Sequence, residues 1–129
     1  MASLNQDELE IMKVLWNHGA LKPAEIQEKL EFPIKNSALR WKLGMLIEKG
    51  HVKRQKQGKA FFYQATTPQQ NALKKVIRGL ADIFCEGSAV ALIGQMIESE
   101  DRLSEEDVKE LRRIAGKVAP RKKTGRKGD

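Results

Sequence analysis

Between Lys35 and Lys59 the chain carries eight basic side chains, Lys35, Arg40, Lys42, Lys49, Lys53, Arg54, Lys56 and Lys59, against a single acid, Glu48. Cations at that density on neighbouring elements can track a phosphate backbone, so the chemistry on offer is electrostatic capture of a polyanion. No comparable set exists for bond-making chemistry. His18 and His51 each adjoin a glycine, and neither has a cysteine or carboxylate at ligand or triad spacing, so both read as surface or packing residues. Gly58-Lys59 lacks the other glycines of a phosphate-binding loop. The expectation is a non-enzyme that holds no metal or other cofactor and takes no small-molecule substrate.

Three helices and a hairpin must position those cations. Asn5 and Glu8 match a capping box, with Leu4 and Leu9 at the staple positions, and predict a helix from Gln6 to His18 that stops at Gly19. Leu9, Met12, Leu15 and Trp16 form its buried stripe. Pro23 opens a second helix ending near Leu30, with Ala24, Ile26 and Leu30 facing inward. Glu31-Phe32-Pro33-Ile34 makes the turn that follows, because Pro33 disfavours helical geometry at Phe32. A third helix spans Asn36 to Lys49, with Gly50 as its stop signal.

Leu39, Leu43, Leu46 and Ile47 share the packed face of this third helix. Ser37, Ala38, Trp41, Gly44 and Met45 then project outward, with Arg40 and Lys42 on the flanks. After Gly50, two short strands joined by the tip Gln57-Gly58-Lys59 make a basic hairpin, with Phe61 and Tyr63 on one face and Phe62 on the other. A helix with a basic flank followed by a basic hairpin outlines a winged helix-turn-helix. Lys35, Asn36, Ser37, Ala38, Arg40, Trp41 and Lys42 are its candidate DNA-reading residues. Lys53, Arg54, Lys56 and Lys59 are the candidate wing contacts, acting with Lys42 mainly on phosphates.

The formal charge of +7 is spread unevenly. Residues 1 to 67 carry 11 basic and 7 acidic side chains, residues 68 to 118 carry 8 and 9, and the tail carries 5 and 1. The middle segment is therefore a poor polyanion site. It reads instead as three helices: one capped by Thr67, with Pro68 at its first and Gln70 at its third position, reaching Phe84, one from about Ser88 to Ser99, and one beginning at Ser104 with Asp107 closing a capping box. Leu73, Val76, Ile77, Leu80, Ile83 and Phe84 line one side of the first. Leu92, Ile93 and Met96 on the second and Leu111 on the third extend the apolar surface. About 50 residues make a marginal core on their own, which predicts pairing with a second copy. The alternative is that these helices fold back on the winged helix and leave a monomer.

The organisation expected is mainly α: a winged helix-turn-helix over 1–66 with a small β-hairpin wing, a helical dimerisation segment over 67–118 and a basic disordered tail over 119–129. No apolar run approaches the roughly 20 residues of a membrane span, and the first residues lack a basic region leading into an apolar one, so a cytoplasmic protein is expected. Cys85 is the only cysteine and reads as a small buried residue.

Glu8-Leu9-Glu10-Ile11-Met12-Lys13-Val14-Leu15-Trp16, then Leu46-Ile47-Glu48-Lys49-Gly50-His51-Val52, then the hairpin ending in Phe62-Tyr63 together resemble the penicillinase-repressor (BlaI/MecI/CopY) family of bacterial transcriptional regulators. The resemblance covers roughly residues 4 to 118. It implies a homodimeric winged-helix repressor on a dyad-symmetric operator, with two recognition helices in successive major grooves about 34 Å apart. The family's Ser-Thr-Val-Arg-Thr-like stretch falls on Ser37-Ala38-Leu39-Arg40-Trp41. Ser37 and Arg40 match, whereas Ala38 and Trp41 replace hydroxyl residues, so the family's operator is not carried over. Leu9 stands where the family commonly has Trp. The cysteine cluster of the copper-responsive branch is absent, and Gln95-Met96 does not preserve the cleavage pair of the lactam-responsive branch. Two other readings of the winged helix stay open: a protein-interaction module anchored on Trp41 and Met45, and a nonspecific architectural DNA binder.

Overall fold

The computed structural model describes residues 4–118, so the basic tail expected over 119–129 lies outside the described residues. Its elements are α1 (Gln6–His18), α2 (Pro23–Lys29), α3 (Asn36–Glu48), β1 (Val52–Gln57), β2 (Ala60–Ala65), α4 (Gln69–Phe84), α5 (Ala89–Ser99) and α6 (Glu105–Gly116). They fall into two compact units that divide after Gly87.

The first unit is built on local signals that fold as written. The Asn5 side chain accepts from the Glu8 amide at 2.8 Å, and Glu8 Oε1 accepts from the Asn5 amide at 3.0 Å. This reciprocal box satisfies two donors that the first turn of α1 cannot pair internally. The buried stripe of α1 is Ile11, Met12, Val14 and Leu15, whereas Leu9 and Trp16 are only partly buried. Ile26 alone among the inward set expected of α2 is fully buried; Ala24 is exposed and Leu30 half-buried. On α3, Leu39, Leu43 and Leu46 are completely buried, with Ile47 packed against them. These side chains, with Leu21, Val52 and Tyr63, form one core.

β1 and β2 pair antiparallel from Val52↔Ala65 to Gln57↔Ala60. Gln57 is therefore a paired strand residue, and the tip is Gly58-Lys59 alone. Gly58, with φ +65°, is the only residue of that two-residue loop with positive φ, the geometry a type II′ turn requires of its first central position. Leu21 adds a bridge that the sequence does not announce: its amide donates to the Tyr63 carbonyl at 3.0 Å and its carbonyl accepts from the Tyr63 amide at 2.8 Å. The α1–α2 connection is thereby stitched to the hairpin.

Thr67 was expected to cap α4 with Pro68 at the first helical position. Instead Pro68 occupies the cap position, and the Thr67 hydroxyl lies 2.7 Å from His51 Nδ1. His51 is 1% exposed and so is a packing residue, while His18 is exposed. The Trp16 indole N–H donates to the Thr67 carbonyl at 2.8 Å, fixing the chain where it leaves the hairpin. Ala72, Val76 and Leu80 of α4 line a cavity of about 220 Å³ together with Leu4, Leu9 and His51. Cys85, expected to be buried, is half-buried at the C-cap of α4.

The second unit contains α5, capped by Ser88, and α6, whose box of Ser104 and Asp107 forms as its spacing predicts. No helix among the described residues is long and apolar enough to cross a membrane.

Candidate nucleic-acid interface

The burial of the α3 leucines fixes what the helix offers outward. Ser37, Ala38, Arg40, Trp41 and Gly44 are exposed, and Met45 is half-buried. Trp41 is 67% exposed, which monomer packing does not explain. At the start of the helix, Gln27 donates to the Ile34 carbonyl at 2.7 Å and accepts from Asn36 Nδ2 at 3.4 Å. Asn36 Oδ1 in turn accepts from Arg40 Nε at 2.7 Å. This relay ties α2 to α3 and orients the Arg40 guanidinium, so the Asn36 amide serves as a support for Arg40.

The eight cations of the sequence divide into two groups. Lys42 Nζ lies 3.5 Å from Asp7 Oδ2. Lys49 Nζ donates to both Glu8 oxygens at 2.7 Å. Both lysines are thus drawn towards the first turn of α1, and Lys42, expected at a phosphate, is partly neutralised within the chain. Glu8 itself is 4% exposed. Burial alone would push its carboxyl up, but the Lys49 hydrogen bond, the Asn5 amide and the charges of Lys49 and Lys42 outweigh it and hold the group below its ordinary value of 4.5.

Lys35, Arg40, Lys53, Arg54, Lys56 and Lys59 make no ion pair among the described residues, and all six are exposed. Those on the hairpin are sorted by register. Arg54 and Lys56 pair with Tyr63 and Phe61, and so share the strand face of the core residue Val52, whereas Lys53 is on the opposite face with Phe62. The Arg54 guanidinium carbon lies 4.3 Å from the Phe61 ring centroid and Lys56 Nζ 5.8 Å from it. Because β1 packs beside α3, this face continues the helix-bearing side of the hairpin.

The surface offers cations, small side chains and an exposed indole, a combination suited to a polyanion with grooves. No group of three or more His, Cys, Asp or Glu side chains among the described residues could hold a metal ion.

A family model described as Penicillinase repressor matches residues 4–117. The chain belongs to this family. The penicillinase repressor of Bacillus licheniformis is 27% identical over 122 residues, covering 93% of this chain and 94% of that protein. Among solved structures, the YusO protein of Bacillus subtilis superposes with a TM-score of 0.55 at 22% identity, over 88% of this chain and 73% of that one. The Multiple Antibiotic Resistance Repressor, MarR, gives 0.51 at 20% identity, over 91% and 78%. These likenesses bear on the fold, which is the winged helix expected from the sequence. Family membership makes the chain a transcriptional regulator of the repressor type, and it turns the exposed face of α3 and the hairpin cations into the surface to test.

The sequence reading missed two features of this surface. One is the separation of Lys42 and Lys49 from the exposed cations, which depends on partners 35 and 41 positions away. The other is Phe61, whose ring underlies two cations; the strand pairing of Lys56 with Phe61 was its only signal.

Proposed function

We propose that the protein is a sequence-specific DNA-binding repressor that acts as a homodimer on a dyad-symmetric operator, by occupying promoter DNA. The observation that carries this reading is the exposure of Ser37, Ala38, Arg40 and Trp41 on the outward face of α3, together with hairpin cations that make no ion pair among the described residues. Ser37, Ala38, Arg40 and Trp41 meet bases or adjacent phosphates; a thymine methyl suits Ala38 or Trp41. Lys35, Arg54, Lys56 and Lys59 neutralise phosphates, with smaller shares for Lys42 and Lys53. Asn36 acts through Arg40. Residues 67–118 supply the dimerisation segment, and the protein works in the cytoplasm.

Support for the dimer comes from apolar side chains left in solvent. Leu73, Ile77, Leu80, Ile83 and Phe84 of α4, Ile93 and Met96 of α5 and Leu111 of α6 are all exposed, as are Val90, Ile97 and Ile114, which the sequence reading did not single out. Val76 is half-buried, and Leu92, also read as a dimerisation residue, is buried within its own chain.

The test is a salt titration of binding to duplexes from the protein's own promoter region and to random duplex. Lys59→Ala should weaken both alike and flatten the log–log salt slope by about one. Arg40→Ala should lose about 1–3 kcal/mol on the preferred site only. Equal affinity for every duplex would make the protein an architectural binder, and no binding at physiological salt would leave Trp41 and Met45 as a protein-docking anchor.

A further inference from the structure

From the geometry of the wing we infer that Phe61 is a positioning residue for DNA binding: its ring, with the Arg54 guanidinium carbon 4.3 Å from the centroid, orders that side chain to meet phosphate. The inference rests on the DNA-binding reading above and assigns a role within it to a side chain that has no polar atom of its own. Phe61 is half-buried and packs against the core cluster, so its ring is anchored from below. Above it, Arg54 lies within cation–π range at 4.3 Å, with the Lys56 ammonium at the edge of that range at 5.8 Å.

The two cations reach the ring by different routes. Lys56 is the direct cross-strand partner of Phe61, and Arg54, paired with Tyr63, reaches it diagonally. A guanidinium stacked on an aromatic face uses none of its N–H donors, because all five lie in the plane of the group. The stack therefore orders the side chain without competing for the donors that a phosphate oxygen needs. An unrestrained arginine would lose rotamer freedom on docking, at a cost that Phe61 has already met in the unbound protein.

The register adds a second consequence. Lys53 is on the other face of the hairpin, away from the Phe61 ring, and gains nothing from this platform.

The experiment measures binding of the full chain to promoter-derived and random duplexes across a range of salt. Phe61→Leu keeps an apolar anchor but removes the ring, and should weaken both complexes about two- to tenfold, the range given by ordering one long side chain. Its salt slope should match the wild type, because every cation remains. Arg54→Lys should show the same weakening at unchanged slope, and in that background Phe61→Leu should cost less than twofold. Phe61→Tyr, which retains a ring, should bind like the wild type. In the unbound protein, the Arg54 δ-methylene protons should resonate upfield and lose that shift in Phe61→Leu.

Equal loss from Phe61→Leu with and without Arg54 would overturn the inference in favour of packing alone, as would Arg54 resonances insensitive to the ring. The proton shift reads the stack in the absence of DNA. A wild-type protein with the shifted protons but no salt-dependent binding would sink the DNA-binding reading, and with it the role assigned to Phe61. Binding that is intact in Phe61→Leu would sink only the latter.

Discussion

Glu8 closes the capping box of α1 and holds Lys49 through both carboxylate oxygens at 2.7 Å, so one side chain joins the start of α1 to the end of α3. The two halves of that role were not equally legible. The box depends on residues three positions apart, and its pattern is visible in the sequence; the ion pair joins positions 41 apart and needs the fold. The same distinction explains why Lys42 was grouped with Lys35 and Arg40 until Asp7 was placed. A carboxyl held below its ordinary value of 4.5 stabilises the fold above that pH, and the contribution is lost as pH falls through the lower folded value. Replacing Glu8 by Gln should therefore cost about 1–2 kcal/mol at neutral pH, the low end for losing a charged hydrogen bond whose lysine partner is only half-buried. Urea midpoints taken from about pH 7 down to pH 3 should converge for Glu8→Gln and wild type at the acid end. A gap that stays constant across that range would show that the ion pair contributes nothing to stability.

At the scale of elements, α3 is two surfaces on one helix, and both followed from its 3.6-residue period. The leucine face is fully buried as expected, because a helix of three to four turns has no other way to satisfy that stripe. Periodicity failed where tertiary partners chose between near-equivalent positions. Val14 and Ile11 took the depth expected of Leu9 and Trp16 because the indole is pulled towards Thr67, and Thr67 gave up its capping role to His51. The Leu21–Tyr63 bridge had no sequence signal, since an isolated bridge uses backbone atoms that every residue carries. On the outward face of α3, a methyl built on Gly44 would meet nothing within 4 Å, and its φ is not positive. Gly44→Ala should raise stability by about 0.5–1 kcal/mol through the lower entropy cost of ordering the helix. If this turn of α3 approaches DNA closely, the same variant should bind the preferred duplex more weakly although it melts higher. Thermal melting and fluorescence anisotropy on one preparation check both effects; unchanged affinity would place Gly44 outside the groove.

For the whole molecule, the question is what removes the exposed apolar surface of the C-terminal helices from water. Within the first unit α4 is partly covered, for Ala72 is buried and Val76 and Leu80 flank a cavity with Leu4 and Leu9. The far end of that helix is not covered: Ile83 and Phe84 are each 75% exposed. An apolar side chain left in solvent is tolerable singly, but a row of them along one segment marks an interface. Phe84 is the sharper probe, because Ile83 also lines the cavity and would confound packing with association. Phe84→Glu places a charge at the proposed contact, where burial without a partner is costly. Sedimentation equilibrium should then shift from dimer towards monomer, while far-ultraviolet circular dichroism is unchanged because Phe84 supports no core. Two recognition helices joined in one dimer bind as a bivalent unit, so separating them should cost about 10²–10⁴ in affinity for a two-half-site duplex and little for a single half-site. A variant that remains dimeric would move the interface off the end of α4, and one that dissociates yet binds the full site as before would remove the dyad from the recognition scheme.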